Sequence, residues 1–231
     1  HNVRNIGSLY NGCDRGSSNG IENRVEFAGN NNDGGNAHNT NSPWNGPEGD
    51  VPPASKVTSV DMYCHDNYDD GDSLHERCEG TYIGGLWEYN GDRGVATSYG
   101  AHVTIYNGIA RRNGFYDTSM GQQNPGASAG GEGFACVGIT SEDEYGVGTQ
   151  MNLFNCVSSY NNLNFALNRG GSGDRMECNN CASEYGRVAG YSAELANRIM
   201  TLRNCTDLGS AIPKREVQGG QIIVKNGNLV T

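Results

Sequence analysis

No run of apolar residues in this sequence approaches the ~18 that a membrane-spanning helix needs. Apolar residues make up only 35% of the 231 positions, so a thick globular core is hard to build. Basic charge is also scarce, with 16 Lys and Arg against 26 Asp and Glu, for a net charge of −10. A nucleic-acid binder needs a basic face, so neither a nucleic-acid partner nor membrane insertion is expected. Position 1 is His rather than Met and no signal-peptide pattern follows. The expectation is a processed product or a fragment of something longer.

What the chain has instead is 35 Gly, Asn throughout, twelve Tyr and eight Cys. Disordered tails lack such a complement of packing residues. The apolar residues fall in short bursts, and the bursts repeat. "MNLFNCVSSYNN" (151–162) is echoed by "MECNNCASEYG", "TLRNCTDLGS" and "IIVKNGN". In the frame h-x-h-x-N-slot, the slot is filled by Cys156, Cys181 and Cys205, at intervals of 25 and 24. Gly108 and Gly227 fit the same frame, and Leu86, His65, Asn30 and Ile6 fit more loosely. Five places after the slots stand Asn11, Asp70, Gly91, Asn113, Asn161, Gly186 and Ser210, mostly turn formers.

Two intervals break the period, 35 residues from Asn30 to His65 and 48 from Gly108 to Cys156. Both are rich in Gly, Asn and Pro and read as loop insertions near 29–57 and 117–133. The second gap leaves room for one degenerate rung around "GFACVGIT". Leucine is too scarce for a leucine-rich repeat. The fold predicted is all-β: a right-handed parallel β-helix, one domain over 1–231, with about nine rungs of 21–25 residues. Stacked at ~4.8 Å, nine rungs make a rod on the order of 40 Å long. Asn recurs because it tolerates a left-handed bend and can hydrogen-bond along the stack. Cys recurs as a small residue that fits an interior corner. Cys156, Cys181 and Cys205 are expected as a column of free thiols, although strand spacing also permits disulfides. "CNNC" (178–181) lacks the second pair of a zinc site.

The most titratable stretch is "HDNYDDGDSLHERCEG" (65–80). Glycoside hydrolysis needs two carboxylates facing each other across the bond, ~5–5.5 Å apart for retention and ~6.5–9.5 Å for inversion. Neighbouring rungs can supply either. The candidate catalytic residues are Asp69, Asp70, Asp72, His75 and Glu88. Within this frame Leu74, Glu76, Val95, Thr97, Phe165 and Leu167 point inward, while Ser73, His75, Gly94, Ala96, Asn164 and Ala166 point outward. Asp72 and Arg93, 21 apart, read as a pair across one rung. Trp87, Tyr89, Arg93 and the loop residue Trp44 are the candidate substrate-binding residues, since saccharide grooves combine aromatic rings with orienting polar groups. Solvated turn acids and a ring that merely packs its loop are the plainer alternatives.

The Asn/Cys rungs, together with "HDNYDDGDSLHERCEGTYIGGLWEYNGDRGVATSYGAH" (65–102), resemble β-helix domains of bacteriophage tailspike and appendage proteins. Their helix is similar to that of pectate lyases. The resemblance implies a homotrimer on a virion tail, outside the cell, that binds and often cleaves a host cell-surface polysaccharide. "DGDSLHE" is similar to the Y-G-x-D-P-H-E motif of mannuronan C5-epimerases and alginate lyases at Gly71, His75 and Glu76. Ser73 stands where that motif has its catalytic Asp, and Asp70 where it has Tyr. Three readings follow: a glycan depolymerase, a non-catalytic glycan-binding or structural segment, and a lyase or epimerase with His75 as base. No cofactor is required by the first two; calcium held by Asp side chains is possible in the third.

Overall fold

The computed structural model describes residues 8–12, 19–30, 33–39, 55–75, 77–114, 131–137, 148–168, 173–227 and 229–231. Among them are twenty-three strands and no helix. The chain advances in coils of three strands. The first coil is β1 (Ser8–Gly12), β2 (Asn19–Asn23) and β3 (Glu26–Ala28); the second is β4 (Gly35–Asn39), β5 (Lys56–Val60) and β6 (Tyr63–His65). The third is β7 (Asp72–Leu74), β8 (Glu79–Ile83) and β9 (Leu86–Glu88); the fourth is β10 (Val95–Thr97), β11 (His102–Tyr106) and β12 (Ile109–Arg111). Then come β13 (Glu132–Cys136), β14 (Gln150–Phe154) and β15 (Val157–Ser159), followed by β16 (Leu163–Leu167), β17 (Arg175–Asn179) and β18 (Ala182–Glu184). The last are β19 (Ala189–Glu194), β20 (Ile199–Arg203) and β21 (Thr206–Leu208), with β22 (Lys214–Val217) and β23 (Gln221–Lys225).

Every third strand pairs in parallel, giving two eight-stranded sheets and one of seven. This is a right-handed parallel β-helix, as the period and the strand signals predict. Seven full coils and a partial eighth are described, against about nine expected. The 48-residue interval holds one coil, because Ile109 pairs directly with Val157. "GFACVGIT" supplies β13 of that coil rather than an extra rung. The expected loop at 29–57 also contains β4, whose small residues Gly35, Asn36 and Ala37 pair with β7.

Cys156, Cys181 and Cys205 do form one column of buried free thiols, between the second and third sheets. Toward the N-terminus the register differs from the one the repeat predicts. The slot there belongs to Gly85 and Met62, because Ile109 pairs with Leu86 and Leu86 with Tyr63. Leu86 is therefore off by one, His65 by three and Asn30 by five. The reason is physical: Met and Gly fill the same corner as Cys, so no single residue type marks it.

Counted five places from the true slots, the turn residues are Asn30, Asn67, Asn90, Asn113 and Asn161, all buried. They form an internal ladder. The Asn67 side-chain oxygen accepts from the Asn30 Nδ2 at 2.8 Å, and that of Asn90 from the Asn67 Nδ2 at 2.9 Å. Backbone N–H groups of the same turns donate to these oxygens too. A second Asn column, Asn107, Asn155, Asn180 and Asn204, takes the left-handed bend between the second and third sheets, with φ of 52° to 57°. Its amides bond along the stack at 3.3 Å. Beside the inner ladder, Gly71 and Gly94 leave no room for a side chain. A Cβ would lie 2.6 Å from the next coil's carbonyl oxygen in both.

The interior is a set of like-on-like columns. Phe134, Phe165 and Tyr191 stack at 5.7 and 4.9 Å between ring centroids. The N-terminal coils are more polar inside: Glu22, Ser59 and Asp72 are buried there, with Glu22 accepting from the Ser59 hydroxyl at 2.6 Å.

Candidate functional site

The corrected register separates residues that are adjacent in sequence. Asp69 and Asp70 lie on the turn entering the first sheet, Asp72 sits on β7, and His75 follows that strand. Five residues at ~3.3 Å each put Asp70 and His75 roughly 16 Å apart. Asp72 pairs with Val95 rather than with Arg93, and points into the core between Gly35 and Val95. Burial pushes its carboxyl well above the ordinary range, with Glu22 adding to the rise. This is a structural position, not a groove residue. His75 meets the Ser98 hydroxyl, and its ring centre lies 6.3 Å from that of the tilted Tyr99 ring. This corner takes the place of its expected Gly94/Ala96 neighbours.

Trp87 is fully buried, packed on Tyr82 and Phe134 at 5.8 and 6.1 Å. It is core, which corrects its expected role as a substrate ring. Glu88 lies on the outer face of the third sheet. There it accepts from the Arg111 Nε and the Tyr63 hydroxyl, each at 2.7 Å. Burial raises its pKa, but those two hydrogen bonds outweigh it and hold the group below the usual carboxylate range. Glu88 is a paired, largely covered anion on that face, not a partner of the Asp69 turn. Tyr89 is exposed beside it. Trp44 and Glu76 lie outside the described residues.

What the fold brings together is a charged column at the entrance to the first sheet: Asp33, Asp70, Arg93 and Glu132, the last opening β13, on successive coils. Each of the first three stands three places after a ladder Asn. Asp33 accepts the Asp70 N–H at 3.2 Å and the Ser73 hydroxyl at 2.5 Å. Asp70 accepts the Arg93 N–H at 3.0 Å. The Arg93 guanidinium bridges Asp70 at 3.4 Å, Asp92 at 2.8 Å and Glu132 at 3.1 Å. Arg93 is thus not a free substrate ligand; it is the cation that neutralises this cluster.

Carboxylate oxygens of Asp69, Asp70 and Asp92 lie within 4.8 Å of one another. Asp69 is half-buried, and burial with the nearby Asp33 and Asp92 carboxylates pushes its pKa up to about 6. Burial raises Asp70 further; Arg93 opposes that rise, while Asp33 and Asp69 reinforce it. Glu132 is raised as well, by burial first. These three carboxylates are hard oxygen donors of the kind calcium takes. A bound cation would have to share Asp70 and Asp92 with Arg93.

Asp33, Asp92 and Glu132 are missing from the sequence-based candidates. The inner Asn ladder is the signal that finds the first two. Counting from Asn30, Asn67 and Asn90 aligns Asp33, Asp70 and Arg93 directly, and places Asp69 against Asp92.

No protein-family model and no curated protein sequence matches this chain. Among solved structures, one described as the crystal structure of pectate lyase Pel9A is similar, with a TM-score of 0.59 at 15% identity. The match covers 93% of this chain and 52% of the other, so the chain spans about half that protein's length. The likeness is one of fold.

Proposed function

We propose that this chain is the polysaccharide-contacting β-helix of a tailspike-like extracellular appendage, trimeric about its long axis, and that it cleaves a cell-surface polysaccharide at the Asp69 turn. The observation that carries this reading is Asp69: a half-exposed carboxyl with its pKa lifted to about 6, set against two buried carboxylates within 4.8 Å. Such a group holds a proton up to about pH 6 and can give it to a departing glycosidic oxygen while a neighbouring carboxylate or a water attacks the anomeric carbon. The short spacing is nearer the ~5–5.5 Å of a retaining pair than the ~6.5–9.5 Å of an inverting one. A β-helix shared with a pectate lyase supports a polysaccharide ligand.

The test is incubation with capsular polysaccharide and lipopolysaccharide, reading new reducing ends and unsaturated sugar products. Cleavage should fall as pH rises past about 6, and Asp69→Asn should abolish it with little change in melting temperature. Full activity in Asp69→Asn places the chemistry elsewhere. A second reading, cation-assisted cleavage, is favoured by the three clustered carboxylates. Chelation with EDTA separates the two, since proton donation by Asp69 survives it.

A further inference from the structure

Each coil leaves the third sheet through one residue in the left-handed region: Gly29, Asp66, Tyr89, Arg112, Tyr160, Tyr185 and Gly209. Gly and Asp adopt this conformation readily, whereas bulky side chains do so at a cost. The equivalent bend at the preceding corner is filled mostly by Asn. Here four consecutive coils carry three tyrosines and an arginine. Tyr89, Tyr160 and Tyr185 are 37%, 43% and 42% exposed, so core burial does not account for them. Strained, exposed residues of this kind point to function.

The four side chains make one continuous strip. The Arg112 guanidinium carbon lies 5.6 Å from the Tyr89 ring centre and 5.7 Å from that of Tyr160, within cation–π range. Its Nη1 donates to the Tyr89 hydroxyl. Tyr160 and Tyr185 stack at 5.0 Å. Arg111, next in sequence, is paired with Glu88, but no carboxylate pairs with Arg112 among the described residues. An exposed cation is therefore held in place by rings and left available to an anion. The ring faces that meet within the strip cover one another, and all four residues remain exposed. Three coil spacings make it roughly 14 Å long, enough for an oligosaccharide rather than one sugar.

The geometry points to a binding strip for an anionic saccharide chain lying along the rod, with Arg112 receiving a sugar carboxylate and Tyr89, Tyr160 and Tyr185 its hydroxyls. This names the substrate class and rests on the reading of a polysaccharide-contacting chain. Tyr89 is three residues before Asp92, so the strip starts beside the acidic turn. It runs away from that turn, toward coils where the charged column becomes Leu163 and Ala189. Repulsion of an anionic chain therefore fades along its length.

The experiment is titration of the protein with six-residue uronic-acid oligosaccharides and with their carboxyl-reduced neutral counterparts, followed by tyrosine fluorescence and calorimetry. Wild type should bind the acidic oligomers and bind the neutral ones more weakly. Arg112→Gln should lose about tenfold in affinity for the acidic oligomers, the scale of one charge-assisted contact, with no change for the neutral ones. Tyr160→Asn should also weaken binding, and Asn suits the left-handed bend, so this variant keeps the fold. Equal binding of acidic and neutral oligomers, or wild-type affinity in both variants, overturns the strip. If both variants bind normally while Asp69→Asn loses cleavage, the strip fails and the catalytic reading stands. If both variants lose binding and wild type yields no products, the strip stands and the catalytic reading fails.

Discussion

Asp72 shows most directly how a single residue changes meaning between sequence and structure. In the sequence it belongs to an acidic run. In the fold it is an interior side chain stacked between Gly35 and Val95. Its raised pKa has a stability consequence with a definite sign. A carboxyl whose folded pKa is above its unfolded value favours the folded state below the unfolded value, and that contribution is lost as pH rises through the folded one. Asp69, Asp70 and Glu132 act in the same direction. Glu88, lowered, acts in the opposite direction. The melting temperature should therefore decline as pH increases from about 4 to 7, as a pH series of thermal melts would show. Asp72→Asn should flatten the decline, because a buried amide has no proton to lose as pH rises. An unchanged pH profile in that variant would place the titration in the turn cluster instead.

At the scale of elements, the two Asn columns look alike in sequence and differ in what they hold. The inner column satisfies buried backbone groups. Asn90 accepts from the Asn67 N–H and Nδ2 and donates to the Cys64 carbonyl and the Asn113 side chain. Asn90→Ala strands several buried partners and should cost about 3 kcal/mol or more in urea unfolding. The outer column serves a bend that glycine adopts as easily, so Asn155→Gly should cost well under 1 kcal/mol. Comparable losses at both positions would show that the outer amide ladder carries real stabilisation. The thiol column belongs to this scale too. Cys156, Cys181 and Cys205 are buried side by side, so a thiol reagent such as DTNB should react at the global unfolding rate, not before.

For the whole molecule, stacking leaves strand edges at each end of the sheets. Among the described residues the C-terminal edge is β22, β23 and, on the third sheet, Val230 bridged onto β21, with Lys214 and Lys225 exposed on it. Charges on an edge discourage pairing with another chain. Association is therefore expected through the long sides of the rod, and light scattering should give the mass of a trimer. A monomer would remove the trimeric part of the proposed function and leave the single-chain site untouched.

The sequence by itself determined the architecture. A period of 21–25, short alternating strands and recurrent Asn and Cys specify stacked coils, because each coil can bury its apolar face only against a near copy of itself. It also located the acidic turn within a few residues. It did not determine register in the N-terminal half, where Cys, Met and Gly fill one corner interchangeably. A slip of one or two residues there exchanges inside for outside or one coil partner for another. That slip put Trp87 in a groove, Asp72 opposite Arg93 and Glu88 in the site. Only the tertiary structure set Asp33, Asp70, Arg93 and Glu132 in one column and aligned Tyr89, Arg112, Tyr160 and Tyr185. Those residues come from coils separated by insertions of unequal length, so their contacts depend on through-space stacking and not on distance along the chain.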